Sequence, residues 1–209
     1  SASSTGVMCK HAVNGVKSLQ PMKAHYLLDF EDYMTSNNSQ SKAVLSETTS
    51  QAIESARSEL VEVALDIHAH PELNYEERHA AELLSRTLEK HGFEVERGVG
   101  GVETAFTATL PGQGGFGPTI AILAEYDALP DIGHGCGHNL IAMAAIGAGL
   151  GLQANLENLP GRIMVIGTPA EEGGGGKIRM LDGGVFESVD AVLSSHPSSN
   201  RTVIPTDIP

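Results

Sequence analysis

Three short apolar runs, each followed by residues with ionisable side chains, constrain the fold more than any other feature of this sequence. The runs cover residues 120–124, 163–166 and 191–193, and the residues that follow them are Glu125, Asp127, Glu171, Glu172 and His196. Continuous apolar runs of this length are typical of strands that are buried on both faces of a sheet. Because binding crevices of open α/β sheets lie at the carboxyl edge of the strands, we expect these side chains to meet there.

Helical patterns alternate with these strands. Helices are predicted over residues 51–67, 76–91, 139–152 and 177–181, and strands over 93–99, 104–110, 119–124, 162–167 and 190–194. The alternation predicts an α/β fold, a three-layer sandwich with a mixed, largely parallel sheet. Residues 1–50 are rich in Ser, Asn, Gln and Thr without a sustained period, so a loose, disordered leader is expected before a domain over residues 51–209.

The charge of the chain argues against polyanionic partners. The formal net charge is −13 at pH 7, whereas nucleic acids and anionic membranes are bound by clustered Lys and Arg. The longest apolar stretch, residues 140–152, is shorter than the ~20 residues that a bilayer span needs. Without a signal-like start, and with only two cysteines, Cys9 and Cys136, a cytoplasmic protein in a reducing compartment is expected.

A glycine-rich segment between the first two of these runs carries residue types that bind metals. In Gly-His-Gly-Cys-Gly-His-Asn at 133–139, alternating glycines allow His134, Cys136 and His138 to converge. Thiolate, imidazole and carboxylate together suit zinc, with manganese or cobalt as alternatives. His134 could be a ligand or could only stabilise the loop. The amino end of the helix that follows is expected to help keep Cys136 ionised.

The adjacent residues Glu171 and Glu172 are expected to have different roles. Neighbouring side chains that leave a strand point in opposite directions, so one carboxylate is expected to bind metal while the other faces the water. A hydrolase needs this arrangement, because a free carboxylate takes a proton from water and delivers it to the leaving amine. Four glycines at 173–176 allow the backbone to approach a substrate or metal closely.

Four segments in this order resemble metallopeptidase family 20, the aminoacylase and amidohydrolase family. They are Ala-Glu-Tyr-Asp-Ala-Leu-Pro at 124–130, His-Gly-Cys-Gly-His-Asn at 134–139, Thr-Pro-Ala-Glu-Glu-Gly at 168–173 and Ser-His-Pro at 195–197. The second segment is most similar to the dipeptidase and aminobenzoyl-glutamate hydrolase branches. The resemblance implies a di-zinc peptidase-like catalytic domain that hydrolyses amide or peptide bonds in dipeptides or N-acyl amino acids, and a homodimer in the full-length form.

The family pattern also implies roles for individual residues. It implies two divalent metal ions, zinc before manganese or cobalt. The implied metal ligands are a thiolate, two imidazoles and a carboxylate: Cys136, His138, Glu172 and His196. Glu171 would be the general base, and Asp127 would take part in catalysis by orienting a ligand. Glu125 stands where other branches have a metal-binding histidine, so no ligand role is assigned to it.

Length is where this sequence departs from the family. Family members continue beyond the point that matches Pro209 with a lid or dimerisation domain and a final histidine ligand, so the resemblance implies that this chain is a fragment. Two hypotheses follow: a hydrolase, or a truncated, non-catalytic product that binds metal or a partner chain. Nucleotide binding through residues 173–176 is disfavoured, because no Lys-Ser/Thr pair follows in the phosphate-loop spacing.

Overall fold

The computed structural model describes residues 5–9, 39–110, 117–159 and 161–197. Its strands are β1 (Thr5–Cys9), β2 (Glu94–Arg97), β3 (Phe106–Thr109), β4 (Thr119–Ala124), β5 (Arg162–Gly167) and β6 (Ala191–Ser195). Its α-helices are α1 (Ser39–Ser55), α2 (Arg57–Ala69), α3 (Arg78–Lys90), α4 (His138–Gln153) and α5 (Gly176–Asp182). Two short 3-10 helices cover Val99–Gly101 and Leu156–Asn158. The predicted α/β class is confirmed.

The strands form one mixed sheet within the described part of the chain. Their order is β1-β6-β4-β5-β3-β2. The central strand β4 runs parallel to both β5 and β6, whereas β1, β3 and β2 join antiparallel at the two sides. The sheet is therefore mixed, as predicted, but its parallel part is confined to the three strands that precede the candidate site residues.

Both faces of the central strands are buried, which explains their continuous apolar sequences. On β4, Ile122 and Ala124 face a core formed with α2, α3 and α4. Ala121 and Leu123 face a second core that includes Met180 of α5. Helices thus cover both sides of the sheet, and the predicted three layers are present. Gly149 of α4 allows close packing, because a side chain there would meet Val165 of β5 at 2.9 Å.

The segment before residue 51 differs from the expected loose leader where the structure describes it. Strand β1 pairs with β6, and α1 begins at Ser39, before the predicted helix start at residue 51. Residues 1–4 and 10–38 of the expected leader lie outside the described residues. The helix predicted over residues 51–67 is divided between α1 and α2, which meet at Ala56. None of the described helices combines the length and the apolar character needed to cross a membrane.

Candidate metal centre

The carboxyl ends of β4, β5 and β6 meet at one edge of the sheet because the three strands are parallel and adjacent. Glu125 and Asp127 follow β4, Glu171 and Glu172 lie in a turn after β5, and His196 comes directly after β6. His138 enters from the loop between β4 and α4, and it is the first residue of that helix. The predicted meeting of these side chains at the strand ends is thus what the structure shows.

His138 is the buried centre of this arrangement. Its side chain is fully buried, and Nδ1 donates a hydrogen bond to the main-chain oxygen of Asp127 at 2.9 Å and lies 3.1 Å from its carboxylate oxygen Oδ1. Burial opposes a charge on the ring, but the hydrogen bond and charge of Asp127, followed by the charge of Glu125, outweigh it and raise the pKa of His138. Asp127 therefore sets which ring nitrogen carries the hydrogen, and leaves Nε2 with a lone pair in the neutral ring.

The other nitrogen of His138 faces carboxylates without bonding to them. Nε2 lies 3.6 Å from Oε1 of Glu172, 3.8 Å from Oε2 of Glu171 and 3.8 Å from Oε2 of Glu125. It is buried and has no hydrogen-bond partner among the described residues. A buried lone pair cannot form a hydrogen bond with the carboxylate oxygens around it, because both are acceptors. The nitrogen and these oxygens together are suitable ligands for a divalent cation. The residues present therefore fit a metal ion.

Two overlapping sets of donor atoms lie around His138. His138, Glu171 and Glu172 each place one donor atom within 4.8 Å of the others, and so do Glu125, His138 and His196. The rings of His138 and His196 are nearly perpendicular, with centroids 5.9 Å apart. His196 is exposed, and its Nδ1 bonds to the main-chain oxygen of Pro197 at 2.8 Å.

The loop before His138 packs against the residue that follows His196. Gly137 caps α4 with a φ of 80°, in the left-handed region that glycine adopts without strain. A side chain at this position would place its first carbon 2.6 Å from Cγ of Pro197. The bare backbone of Gly137 therefore allows the two histidine-bearing segments to approach.

Glu171 and Glu172 do not diverge as expected for neighbours on a strand. Strand β5 ends at Gly167, and the pair lies in the turn that follows, where both offer an oxygen to the same set of donors. Asp127 accepts a hydrogen bond from the main-chain N–H of Glu172 at 2.9 Å, which fixes this turn to the end of β4. The side chain of Glu171 is 40% exposed and that of Glu172 is 21% exposed, so Glu171 is the more accessible carboxylate.

Cys136 lies beside these carboxylates but belongs to neither set of donors. The nearby Glu172 carboxylate, then burial, then the charges of Glu171 and Asp127 raise the pKa of the Cys136 thiol to about 11. In the metal-free chain the pKa of this thiol is thus shifted in the direction opposite to the effect expected from the start of α4. Nearby carboxylates disfavour a second negative charge.

His134 also lies outside both sets. Its ring is buried, and neither nitrogen has a hydrogen-bond partner among the described residues. Burial, and then the proximity of His138 and His68, lower the pKa of His134 and favour its neutral form. The ring centroid of His68 is 6.3 Å away, and the structure assigns His134 no donor role in the centre.

The sequence patterns did not predict an ion pair beside the centre, between Lys177 and Glu125. Lys177, near the start of α5, places Nζ 2.6 Å from Oε1 of the buried Glu125. The position of Glu125 directly after a buried strand was a usable signal for its presence at this edge. The pairing with Lys177 left no sequence signal, because it depends on how the segment after β5 folds back over the end of β4.

A further set of possible donors lies at the surface, away from the centre. Asp66 and His70 at the end of α2 and His79 at the start of α3 have donor atoms within 4.8 Å of one another. His70 and His79 both hydrogen-bond to Asp66, and all three side chains are about half exposed. This surface set provides a control for metal binding outside the buried centre.

The sequence matches known proteins over the region that builds the centre. Residues 121–206 match the model of peptidase family M20/M25/M40. The mouse Xaa-Arg dipeptidase is 40% identical over 79% of this chain and 41% of its own length. One polypeptide of the p-aminobenzoyl-glutamate hydrolase of Escherichia coli K12 is 41% identical over 71% of this chain and 34% of its own length. The chain thus spans about two fifths or less of these relatives.

A solved structure agrees with the sequence matches. The YXEP protein of Bacillus subtilis, described as a dinuclear metal binding peptidase from the M20 family, superposes with a TM-score of 0.60 at 29% identity. The superposition covers 65% of this chain and 41% of that protein. That protein thus shares the fold of about two thirds of this chain. On these grounds the chain contains a region, residues 121–206, that matches peptidase family M20/M25/M40, and it is similar to members of that family over most of its length.

Proposed function

We propose that this protein is a metal-dependent hydrolase that cleaves amide or peptide bonds in small substrates. The observation that carries the proposal is the buried Nε2 of His138, which faces three carboxylates and has no hydrogen-bond partner among the described residues. The relatives named above act, by their names, on a dipeptide that ends in arginine and on an aminobenzoyl amide of glutamate. Dipeptides and N-acyl amino acids are therefore the proposed substrate class.

The proposed metal ligands are Cys136, His138, Glu172 and His196, holding two divalent ions. Zinc suits this set of donors best, because it accepts thiolate, imidazole and carboxylate ligands together, while manganese and cobalt are alternatives. When bound, such ions would polarise a substrate carbonyl and lower the pKa of a bound water toward about 7. Their positive charge also favours the thiolate of Cys136, in place of the thiol that the carboxylates favour without them.

Glu171 is the proposed general base. It is the more exposed of the two glutamates that face His138, so a substrate and a water molecule can reach it more readily than Glu172. Its carboxylate takes a proton from the attacking water and delivers it to the leaving amine, a role that contributes about 10²–10⁴-fold to the rate in other enzymes. Asp127 acts through two neighbours, because it orients the ring of His138 and holds the N–H of Glu172.

The proposal is tested by separating metal binding from hydrolysis. Zinc content per chain and hydrolysis of a dipeptide ending in arginine and of p-aminobenzoyl-glutamate are measured for the wild type, Glu171→Gln and His138→Gln. We expect Glu171→Gln to keep its metal and to lose about 100-fold or more of the activity, and His138→Gln to lose both. Glu187→Gln, at an exposed position away from the centre, is the control and is expected to change neither.

The contrary outcomes are distinct. A wild-type chain that binds no metal contradicts the proposed ligand set. A chain that binds metal through His138 but hydrolyses none of the substrates supports a metal-binding, non-catalytic protein instead. Full activity in Glu171→Gln means that another group serves as the base.

A further inference from the structure

A second carboxylate outside the metal centre is buried more deeply than the glutamates within it. Glu77, directly before α3, has no exposed surface. Its Oε1 accepts hydrogen bonds from the main-chain N–H groups of Tyr75 and Ala170, both at 2.9 Å. Its Oε2 accepts a hydrogen bond from the hydroxyl of Thr104 at 2.9 Å. One side chain therefore ties together three segments that are far apart along the chain.

The buried carboxylate of Glu77 needs interactions that offset the loss of its contact with water. Burial raises the pKa of Glu77, although the hydrogen bonds that it accepts act in the opposite direction. No Lys, Arg or His pairs with it among the described residues. Removing a charge from water without such a partner is costly, so the three donors supply what stabilisation the carboxylate has. The main-chain oxygen of Thr104 in turn accepts the hydroxyl of the buried Tyr126 at 2.6 Å, beside Asp127.

Both main-chain donors to Glu77 belong to residues with unusual backbone angles. Tyr75 has a φ of 65° and Ala170 a φ of 56°. Residues other than glycine rarely adopt this left-handed conformation, and surrounding contacts must hold them in it. The Oε1 atom of Glu77 accepts from both N–H groups and thereby supports both conformations.

The segment held in this way carries the proposed general base. Ala170 immediately precedes Glu171, so its backbone angles set the direction in which the turn leaves β5. The other end of this turn is tied to the same loop, because the hydroxyl of Tyr75 donates to the main-chain oxygen of Gly174. Arg179 of α5 lies over the Tyr75 ring, 4.4 Å from its centroid.

We infer that Glu77 is a positioning residue, whose buried carboxylate holds the turn 170–174 so that Glu171 and Glu172 face His138. This inference deepens the proposed function and rests on it for its catalytic consequence. Its structural part, the fixing of the turn by one distant carboxylate, is independent of that function. The two parts therefore require two measurements.

The test compares three variants. Glu77→Leu fills most of the space and removes both acceptor atoms. Glu77→Gln keeps one oxygen that can accept from Tyr75 and Ala170, and its amide group can donate to the Thr104 hydroxyl. Glu76→Ala removes a neighbouring carboxylate that is exposed, and it serves as the matched control.

The first measurement is hydrogen exchange of the metal-free chain, followed by mass spectrometry. In Glu77→Leu we expect the amides of residues 168–176 to exchange about tenfold faster, with β4 and β5 unchanged. Glu77→Gln is expected to show a smaller increase and Glu76→Ala none. Equal acceleration in the turn and in β4 and β5 would make Glu77 a residue of general stability and overturn the positioning role, as would an unchanged turn.

The second measurement is cobalt affinity, read from the absorption spectrum of the bound ion, together with KM and kcat. We expect Glu77→Leu to weaken cobalt binding by about 10–100-fold and to lower kcat more than it raises KM, with Glu77→Gln restoring most of both. Wild-type affinity and kcat in Glu77→Leu overturn the catalytic part. If the wild type binds no cobalt while exchange still rises only in the turn, the proposed function fails and the positioning of the turn by Glu77 stands.

Discussion

The reactivity of Cys136 depends on carboxylates that are not adjacent to it in sequence. A thiol at the start of a helix is ordinarily acidified, yet Glu172 and its neighbours raise the pKa of this one to about 11. Because only the thiolate is a nucleophile, the metal-free side chain is expected to react slowly near neutral pH. The same charges that favour a cation therefore suppress the chemistry of the free thiol.

Alkylation kinetics measure this suppression. In a Cys9→Ser background, which leaves one cysteine, the rate of reaction of Cys136 with iodoacetamide should keep rising with pH up to about 11. Replacing the carboxylate by an amide in Glu172→Gln should lower the thiol pKa and raise the rate at pH 8 several-fold, since each pKa unit changes the thiolate fraction about tenfold. Glu187→Gln should leave the rate unchanged. An equal rate in the Glu172→Gln and wild-type chains would remove Glu172 as the cause.

At this scale the sequence predicted which side chains meet at the strand ends better than it predicted the residues that hold them in place. Glu171, Glu172 and His138 were predicted from strand ends and from motifs whose residues lie close together in the chain. Glu77 was not predicted, because its partner Ala170 lies 93 positions away and nothing local marks the pairing. Residues that act through distant main-chain groups leave no periodic or motif signal in the sequence.

Among the elements, the two central buried strands were predicted most accurately. The bounds of β4 and β5 agree with the predicted strands. Short, continuous apolar runs with turn residues at both ends are typical of strands that are buried on both faces. The start of α1 was not predicted, since its first turns are polar. This helix depends on packing against α4, where Thr49 contacts the position of Gly151 and accepts a hydrogen bond from Asn155 at 2.8 Å. Tertiary contacts of this kind stabilise helices whose own sequence does not.

The contact between α2 and α3 predicts that the free energy of unfolding depends on pH. Glu59 of α2 lies 2.8 Å from Nζ of Lys90 and 2.8 Å from Nε2 of His91 at the end of α3. Hydrogen bonds from Lys90 and then His91 lower the pKa of Glu59 below its ordinary value of 4.5. Its contribution to stability is therefore present above pH 4.5 and is lost as the pH falls through the lowered value in the folded chain.

Urea unfolding at a series of pH values measures this contribution. Glu59→Gln should lower the free energy of unfolding by about 0.5 kcal/mol at pH 6, and the difference should vanish once the pH has fallen below the lowered pKa of Glu59 in the folded chain. Glu54→Gln is the control, because the Glu54–Arg57 pair has side chains that are 69% and 71% exposed. A difference between the Glu59→Gln and wild-type chains that does not change with pH would assign the loss to packing.

In the whole molecule, the candidate metal centre collects side chains from segments that are far apart along the chain. The loops after β4 and β5, the start of α4 and the residue after β6 all contribute to it. A ligand that binds only the folded state stabilises it by an amount that depends on its concentration relative to Kd, about 2.7 kcal/mol at 100 times Kd. Metal binding is therefore expected to stabilise the domain as a unit.

Thermal unfolding with zinc and with a chelator tests this expectation. Zinc should raise the unfolding midpoint by several degrees, and a chelator should reverse the rise. The rise should be absent in His138→Gln but retained in His79→Gln, which alters only the surface set at Asp66, His70 and His79. The opposite pattern would place the stabilising ion at the surface.

The two segments that carry the imidazole rings of His138 and His196 approach where Gly137 has no side chain. The ring of His138 is held by Asp127, whereas His196 follows β6 at the surface. Between them a methyl group at position 137 would lie 2.6 Å from Cγ of Pro197. A side chain at this position would therefore push the two segments apart. In evolutionary terms, a natural variant with any side chain at position 137 is expected to have a wider centre, and therefore altered metal preference.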